Sequence, residues 1–171
     1  MATICQIGCG MIGKVIALDI SKRHDLHLSD LDRSALKEIK TLDPTIKTKC
    51  FNVNDSDMLK SFLKPADIVL LAVPGHMGYK LLEKIIDFKK NIVDISFSPE
   101  NILSLNKKAK DNNITVVFDA GLAPGIPNFL LGQIDAKENV KSFKYFVGGL
   151  PKHPKPPYNY KAPFSPIDVM E

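Results

Sequence analysis

The sequence predicts an α/β fold built on a doubly wound, six-stranded parallel sheet. Three observations carry that prediction. Short β-like runs alternate with helical patterns from residue 3 to residue 118. A glycine-rich turn joins the first run to the first helical pattern. Residues 68–73 form a wholly apolar run, as a parallel strand covered on both faces requires.

Residues 3–7 make the first strand, and Ile12, Val15, Ile16 and Ile20 then recur at helical spacing. Residues 26–29 are a second short strand, followed by the apolar stripe Leu31, Ala35, Leu36 and Ile39. Residues 46–51 read as a third strand, with lysines alternating with apolar positions. Asp55 or Ser56 caps a helix that carries Met58, Leu59, Phe62 and Leu63. Residues 68–73 are the fourth strand, and Leu81, Leu82, Ile85 and Ile86 mark the fourth helix. Residues 91–95 are the fifth strand. Ser98-Pro99-Glu100 opens a fifth helix, with Pro99 at the tolerated first turn. Residues 114–118 are the sixth strand. Helices between strands imply right-handed crossovers and helical layers on both faces. The expected strand order is 3-2-1-4-5-6, the Rossmann type.

Beyond Ala120 the texture changes. Eight of the 12 prolines lie there, six of them between Pro151 and Pro166. Phe143, Tyr145 and Val147 alternate with Ser142, Lys144 and Phe146, which predicts one more strand over 140–147. Residues 166–171 read as a helix that has only begun. About fifty residues cannot bury much of a second core. The expected division is a first domain over 1–121 and, over 122–171, the start of a second α/β domain that is cut short.

Composition narrows the function classes. Apolar residues are 44% and charged residues 25% of the chain, which excludes collagen-like, low-complexity and wholly disordered classes. The apolar run 68–73 is far short of the ~20 residues that cross a bilayer, so no membrane partner is expected. The formal net charge of +4 is spread thinly. Lys47 and Lys49, and Lys107, Lys108 and Lys110, are not interleaved with aromatics. They read as solvated faces, and no nucleic-acid partner is expected. Cys5, Cys9 and Cys50 are odd in number and show no CxxC spacing, which speaks against a disulfide framework or a metal site. No basic region precedes an apolar core at the N-terminus, so no secretory signal is expected. A reducing cytoplasm fits best.

Gly8-Cys9-Gly10-Met11-Ile12-Gly13 is a G-x-G-x-x-G placed after a strand and at the start of a helix. That context is the one a dinucleotide site needs. Gly8 permits the tight turn. Gly10 lets a pyrophosphate approach the backbone, and Gly13 lets the helix pack close to the strand. The unpaired N–H groups at the helix start, including those of Met11 and Ile12, then face the phosphates. The alternative is a tight turn with no ligand.

Asp30, about twenty residues further on, can bond both ribose hydroxyls of an adenosine half. A 2′-phosphate there would meet a like charge, worth ~4 kcal/mol per pair at ~4 Å and an effective dielectric of about 20. Asp30 therefore points to NAD over NADP. Arg33 is the counter-evidence, and a helix cap is the alternative role for Asp30.

Ligands sit outside the carboxyl ends of the strands in an open parallel sheet. Those ends deliver Gly8 and Gly10, Asp30, Asn52 with Val53, Val73-Pro74-Gly75, Asp94 and Ser96, and Asp119 and Gly121. Asn52 could bond an adenine edge, and Pro74-Gly75 would let the backbone lie against a nicotinamide. Asp94 and Asp119 approach the chemical end. Each alone could simply cap a turn.

The segments 93–101 (VDISFSPEN), 117–125 (VFDAGLAPG), 145–152 (YFVGGLPK) and 154–157 (PKPP) resemble the saccharopine dehydrogenase family, most nearly its lysine 6-dehydrogenase branch. The likeness runs from the glycine loop to the last residue. It implies NAD-dependent oxidation of an amine carbon of lysine, giving the 6-semialdehyde and ammonia. It also implies a longer chain with a second α/β domain, and a homodimer in that full-length form. Saccharopine-forming members tend to carry an aspartate before the Pro-Gly, where this chain has Ala123. Ala123 favours the lysine branch.

Amine oxidation needs a base for the ammonium proton. A cationic substrate calls for carboxylates, and Asp94 and Asp119 are the candidates, with Ser96 and the Gly121 backbone beside them. Turn-stitching is the alternative role for both. His76 could act as acid or base because its ordinary pKa is near neutrality, although a helix-start histidine is more often a surface residue. Lys80 is a similar candidate. A dinucleotide-binding module without catalysis is the competing function.

Overall fold

Successive side chains of a strand point to opposite faces, and here both faces are apolar. Ile4, Leu26, Leu28 and Leu70 belong to one core cluster, while Cys5, Ile7, Val69 and Leu71 belong to the other. A sheet with two apolar faces must carry helices on both sides. In the computed structural model, which describes residues 1–148, 151–157, 159 and 161, it does.

The first unit, Met1–Asp119, contains the whole sheet. In chain order it runs β1 (Thr3–Ile7), α1 (Met11–Ile20), β2 (Asp25–Asp30), α2 (Arg33–Leu42), β3 (Lys47–Cys50), α3 (Ser56–Leu63), β4 (Ile68–Leu71), α4 (Gly75–Asp87), β5 (Asn91–Asp94), a 3-10 turn (Ile102–Leu105), α5 (Asn106–Asp111) and β6 (Val116–Val117). The sheet is parallel throughout, in the order β3-β2-β1-β4-β5-β6. This is the Rossmann order expected from the sequence. Leu36 and Ile39 of α2 and Ala17 of α1 cover one face. Leu59, Phe62 and Leu63 of α3, Leu81, Leu82, Ile85 and Ile86 of α4, and Ala109 of α5 cover the other. Each fully buried Leu or Ile contributes roughly 1.5–3 kcal/mol.

The chain passes from β3, at one edge, to β4 beside β1. That crossover opens a crevice between the carboxyl ends of β1 and β4, the place where such sheets bind ligands.

Local details differ from the sequence expectations. The helix expected at Ser98-Pro99-Glu100 begins at Ile102 instead. Asn101 supplies the cap, its Oδ1 accepting the Leu103 N–H at 3.1 Å, while the Ser98 hydroxyl is spent on Glu100. The sixth strand shrinks from five expected residues to two.

The second unit, Ala120–Glu171, holds one helix among the described residues, α6 (Ile126–Asp135). The sequence predicts no element over 126–135. Gly125, at φ +139°, turns the chain into it, and the Asn128 side chain accepts the Gly125 N–H at 3.1 Å. The strand expected at 140–147 does not form. Alternation supplies an apolar face, but a strand also needs a partner for its N–H and C=O groups, and Phe146 is 95% exposed. The helix expected over 166–171 lies outside the described residues.

Candidate dinucleotide-binding site

Close backbone approaches shape the glycine turn. Gly8 lies at φ +104°, and a Cβ on it would stand 2.1 Å from the Ala72 carbonyl oxygen. A Cβ on Gly13 would stand 2.4 Å from the Gly8 carbonyl oxygen. Both positions therefore exclude any side chain. Gly10 is different, because a Cβ there would meet nothing within 4 Å. The protein itself does not require glycine at 10, because the space above it is open.

Helix starts differ in their caps. Asp32 caps α2 by accepting the Ser34 and Ala35 N–H groups, and Asp55 caps α3 by accepting the Met58 N–H. Asn101 caps the 3-10 turn. α1, which starts from Gly10, and α4, which starts from Pro74, have no side-chain cap, and neither do α5 and α6. A cap is worth about 1 kcal/mol, and it is missing at the two helices that flank the crevice. Their first N–H groups have no side-chain acceptor at the positive ends of their dipoles. Met11 and Ile12 are exposed at this edge.

Asp30 closes β2 beside the loop. Its Oδ2 accepts the Cys9 N–H at 2.6 Å, and its Oδ1 accepts the Asp32 N–H at 2.8 Å. The cap role considered for it belongs to Asp32. Beneath the loop lies Gln6, fully buried in β1. Its Nε2 donates to the Gly8 carbonyl at 2.8 Å and to the Gly13 carbonyl at 2.7 Å. Cys9 is also buried, which pushes its thiol up to about 11.

Asn52 is exposed at the end of β3, its Oδ1 accepting the Asn54 N–H at 2.9 Å, and Val53 is buried in the core. Val73 is half-buried, Pro74 exposed and Gly75 buried at the α4 start. His76 and Lys80 are exposed on α4. Asp94 is 1% exposed at the end of β5. Its Oδ1 accepts the Ser96 N–H at 2.9 Å and the Ser96 hydroxyl at 2.7 Å, while its Oδ2 has no partner. Burial, and then the like charge of Asp119, push the Asp94 carboxyl above the usual carboxylate range against the pull of the Ser96 bonds. Asp119 sits at φ +49°, and burial raises its carboxyl as well. Gly121 belongs to the second unit.

Two residues important to this geometry escape sequence reasoning. Gln6 is one; its signal is a polar residue in a central strand that should be uniformly apolar. Gly78 is the other. A Cβ there would stand 2.2 Å from the Ser96 hydroxyl, so glycine lets α4 close over Asp94 and Ser96. Nothing in its local sequence announces that contact.

Residues 4–117 match the family model described as the saccharopine dehydrogenase NADP binding domain. The alpha-aminoadipic semialdehyde synthase of Arabidopsis thaliana is 29% identical over 161 residues, covering 89% of this chain and 15% of that protein. The saccharopine dehydrogenase [NADP(+), L-glutamate-forming] of Pyricularia oryzae is 29% identical over 126 residues, covering 70% of this chain and 28% of that one. The chain thus spans well under a third of the length of these relatives. Among solved structures, apo saccharopine dehydrogenase (L-Glu forming) from Saccharomyces cerevisiae superposes with a TM-score of 0.69 at 18% identity, over 80% of this chain and 31% of that one. Scyllo-inositol dehydrogenase from Lactobacillus casei, solved with NAD(H), gives 0.59 at 14% identity over 80% of this chain and 41% of that one. These two likenesses bear on the fold.

Proposed function

The chain belongs to the saccharopine dehydrogenase family through its dinucleotide-binding domain, and from that premise we propose that it serves NAD(P)-dependent oxidation of a C–N bond in a lysine-type amino acid. The observation that carries this is the pair of uncapped helices, α1 and α4, beside a glycine turn left open at Gly10. The N–H groups of Gly10, Met11, Ile12 and Gly13 would hold the pyrophosphate, and Asp30 the adenosine ribose. Asn52 and Val53 would border the adenine, and Val73, Pro74, Gly75 and Ser96 the nicotinamide half. When bound, the dinucleotide supplies the hydride acceptor.

The remaining chemistry falls to side chains. Asp119, its carboxyl raised by burial, is suited to take a proton from an ammonium. Asp94, almost wholly enclosed, holds Ser96 in place and adds negative charge attractive to a cationic amine. His76, exposed at the α4 start, is a second proton carrier.

NAD is the dinucleotide we favour. Asp30 and Asp32 put two carboxylates at the end of β2, next to where a 2′-phosphate would lie. Arg33 and the NADP in the family model's description oppose this. For the substrate, Ala123 supports the primary amine of lysine, oxidised to the 6-semialdehyde with release of ammonia. The named relatives support the secondary amine saccharopine as the second reading. The full-length protein would be a homodimer in a reducing cytoplasm, in keeping with free Cys5, Cys9 and Cys50.

Isothermal titration with NAD and NADP, followed by turnover assays with lysine and with saccharopine, tests each step. Tighter binding of NAD and turnover of lysine are expected. A clear NADP preference reverses the cofactor assignment, and turnover of saccharopine alone reverses the substrate. Dinucleotide binding with neither turnover makes the chain a binding module.

A further inference from the structure

A fully buried glutamine in the middle strand of a parallel sheet works against stability. Its Oε1 has no hydrogen-bond partner, and an unpaired buried carbonyl oxygen is unfavourable where a leucine would fit the pattern. A local rule broken without a stability gain points to function. What Gln6 gains is control of the glycine turn. One Nε2 hydrogen goes to the Gly8 carbonyl at 2.8 Å and the other to the Gly13 carbonyl at 2.7 Å. The first and last glycines of the motif thus share one donor.

The Gly8–Cys9 peptide is held from its other side too. A trans peptide is planar, with its C=O and N–H pointing in opposite directions. Gln6 holds the C=O end, and Asp30 Oδ2 accepts from the N–H end at 2.6 Å. Rotation of that peptide plane would break both bonds at once. Gly8, at φ +104°, has no side chain of its own to restrain it. The plane of this peptide sets the direction in which Gly10 and the start of α1 leave the strand.

We infer that Gln6 is a positioning residue for the dinucleotide's pyrophosphate: together with Asp30 it clamps the Gly8–Cys9 peptide, so that the α1 amides are aimed before ligand arrives. This inference rests on the dinucleotide reading above.

Gln6→Met tests it, since methionine matches glutamine in length and fills the site without a donor. The readouts are thermal melting and titration with ADP-ribose, which carries the pyrophosphate, and with adenosine, which does not. The expected result is a melting temperature close to that of the wild type, the lost donor to the Gly8 carbonyl being offset by removal of the unpaired Oε1, and ADP-ribose binding about tenfold weaker, the factor one misplaced hydrogen-bonding group costs. Adenosine binding should be unchanged. Equal loss for both ligands would show a merely structural role and overturn the inference, as would unchanged ADP-ribose affinity. A wild-type chain that ignores ADP-ribose overturns the dinucleotide reading itself, a distinguishable failure. Should the variant not fold, NMR of the wild type decides. The Gln6 side-chain amide protons should exchange slowly and shift when ADP-ribose is added; fast exchange or no shift overturns the clamp.

Discussion

The carbonyl oxygen of Gly8 lies 2.4 Å from the point a Cβ on Gly13 would occupy. The turn and helix α1 therefore meet backbone to backbone at this point. Gly13→Ala must push α1 off the sheet or distort the turn, and overpacking of this kind costs about 1–3 kcal/mol. Chemical denaturation should show a midpoint shifted down by that amount. A midpoint matching the wild type would mean that the turn can give way freely.

Gly10 should respond in the opposite sense. Nothing crowds it, and its φ of −70° is ordinary for any residue. Gly10→Asp adds the cap and the negative charge that α1 lacks. A better cap and a favourable dipole together give roughly 0.5–1 kcal/mol. The same carboxylate would repel a pyrophosphate and fill its space. The variant should melt higher than the wild type while losing dinucleotide affinity at least tenfold, at about 1.4 kcal/mol per decade. Retained affinity would remove Gly10 from the site.

These contrasts explain what the sequence makes legible. Gly8, Gly10, Gly13 and Asp30 can be found because a phosphate turn imposes fixed local spacing. The six strands and their order follow from apolar runs and crossover handedness, which are also local or general rules. Gln6 and Gly78 matter through contacts with Gly13 and Ser96, which only the folded chain brings near. The cap at Asn101 in place of Ser98 was decided by competing side-chain bonds. Residues 140–147 show the limit of periodicity, since alternation cannot supply the neighbouring strand.

Asp94 gives a pH signature. Its folded carboxyl is raised above the unfolded value of 3.8, first by burial and then by Asp119. Above the raised value both states are ionised, and the native state bears a charge in a dry site. As pH falls through the window between the raised value and 3.8, the native state takes the proton first. Asp94 therefore makes the protein relatively more stable on the acid side of that window. Asp94→Asn keeps an oxygen to accept from Ser96 and removes the charge. The stability difference, variant minus wild type, should be largest at neutral pH and shrink as the pH drops. A difference that stays flat with pH would show that the buried group carries no charge cost.

Asp119 is the sharper test of chemistry. Its φ of +49° is a conformation asparagine adopts as readily as aspartate. Asp119→Asn therefore keeps the backbone and removes only the base. If the carboxylate takes the ammonium proton, kcat should fall by about 10²–10⁴-fold, the usual contribution of a positioned base. Dinucleotide affinity should change little, because the phosphate and ribose contacts lie on other strands. Burial raises the carboxyl above its ordinary range. A base must be deprotonated to act, so wild-type turnover should be lost as pH falls through that raised value, and this acid limb should vanish from the residual activity of the variant. Steady-state rates across pH, measured with saturating dinucleotide, provide both readouts. Turnover within threefold of the wild type would leave Asp119 as a loop-forming residue and return the base to His76.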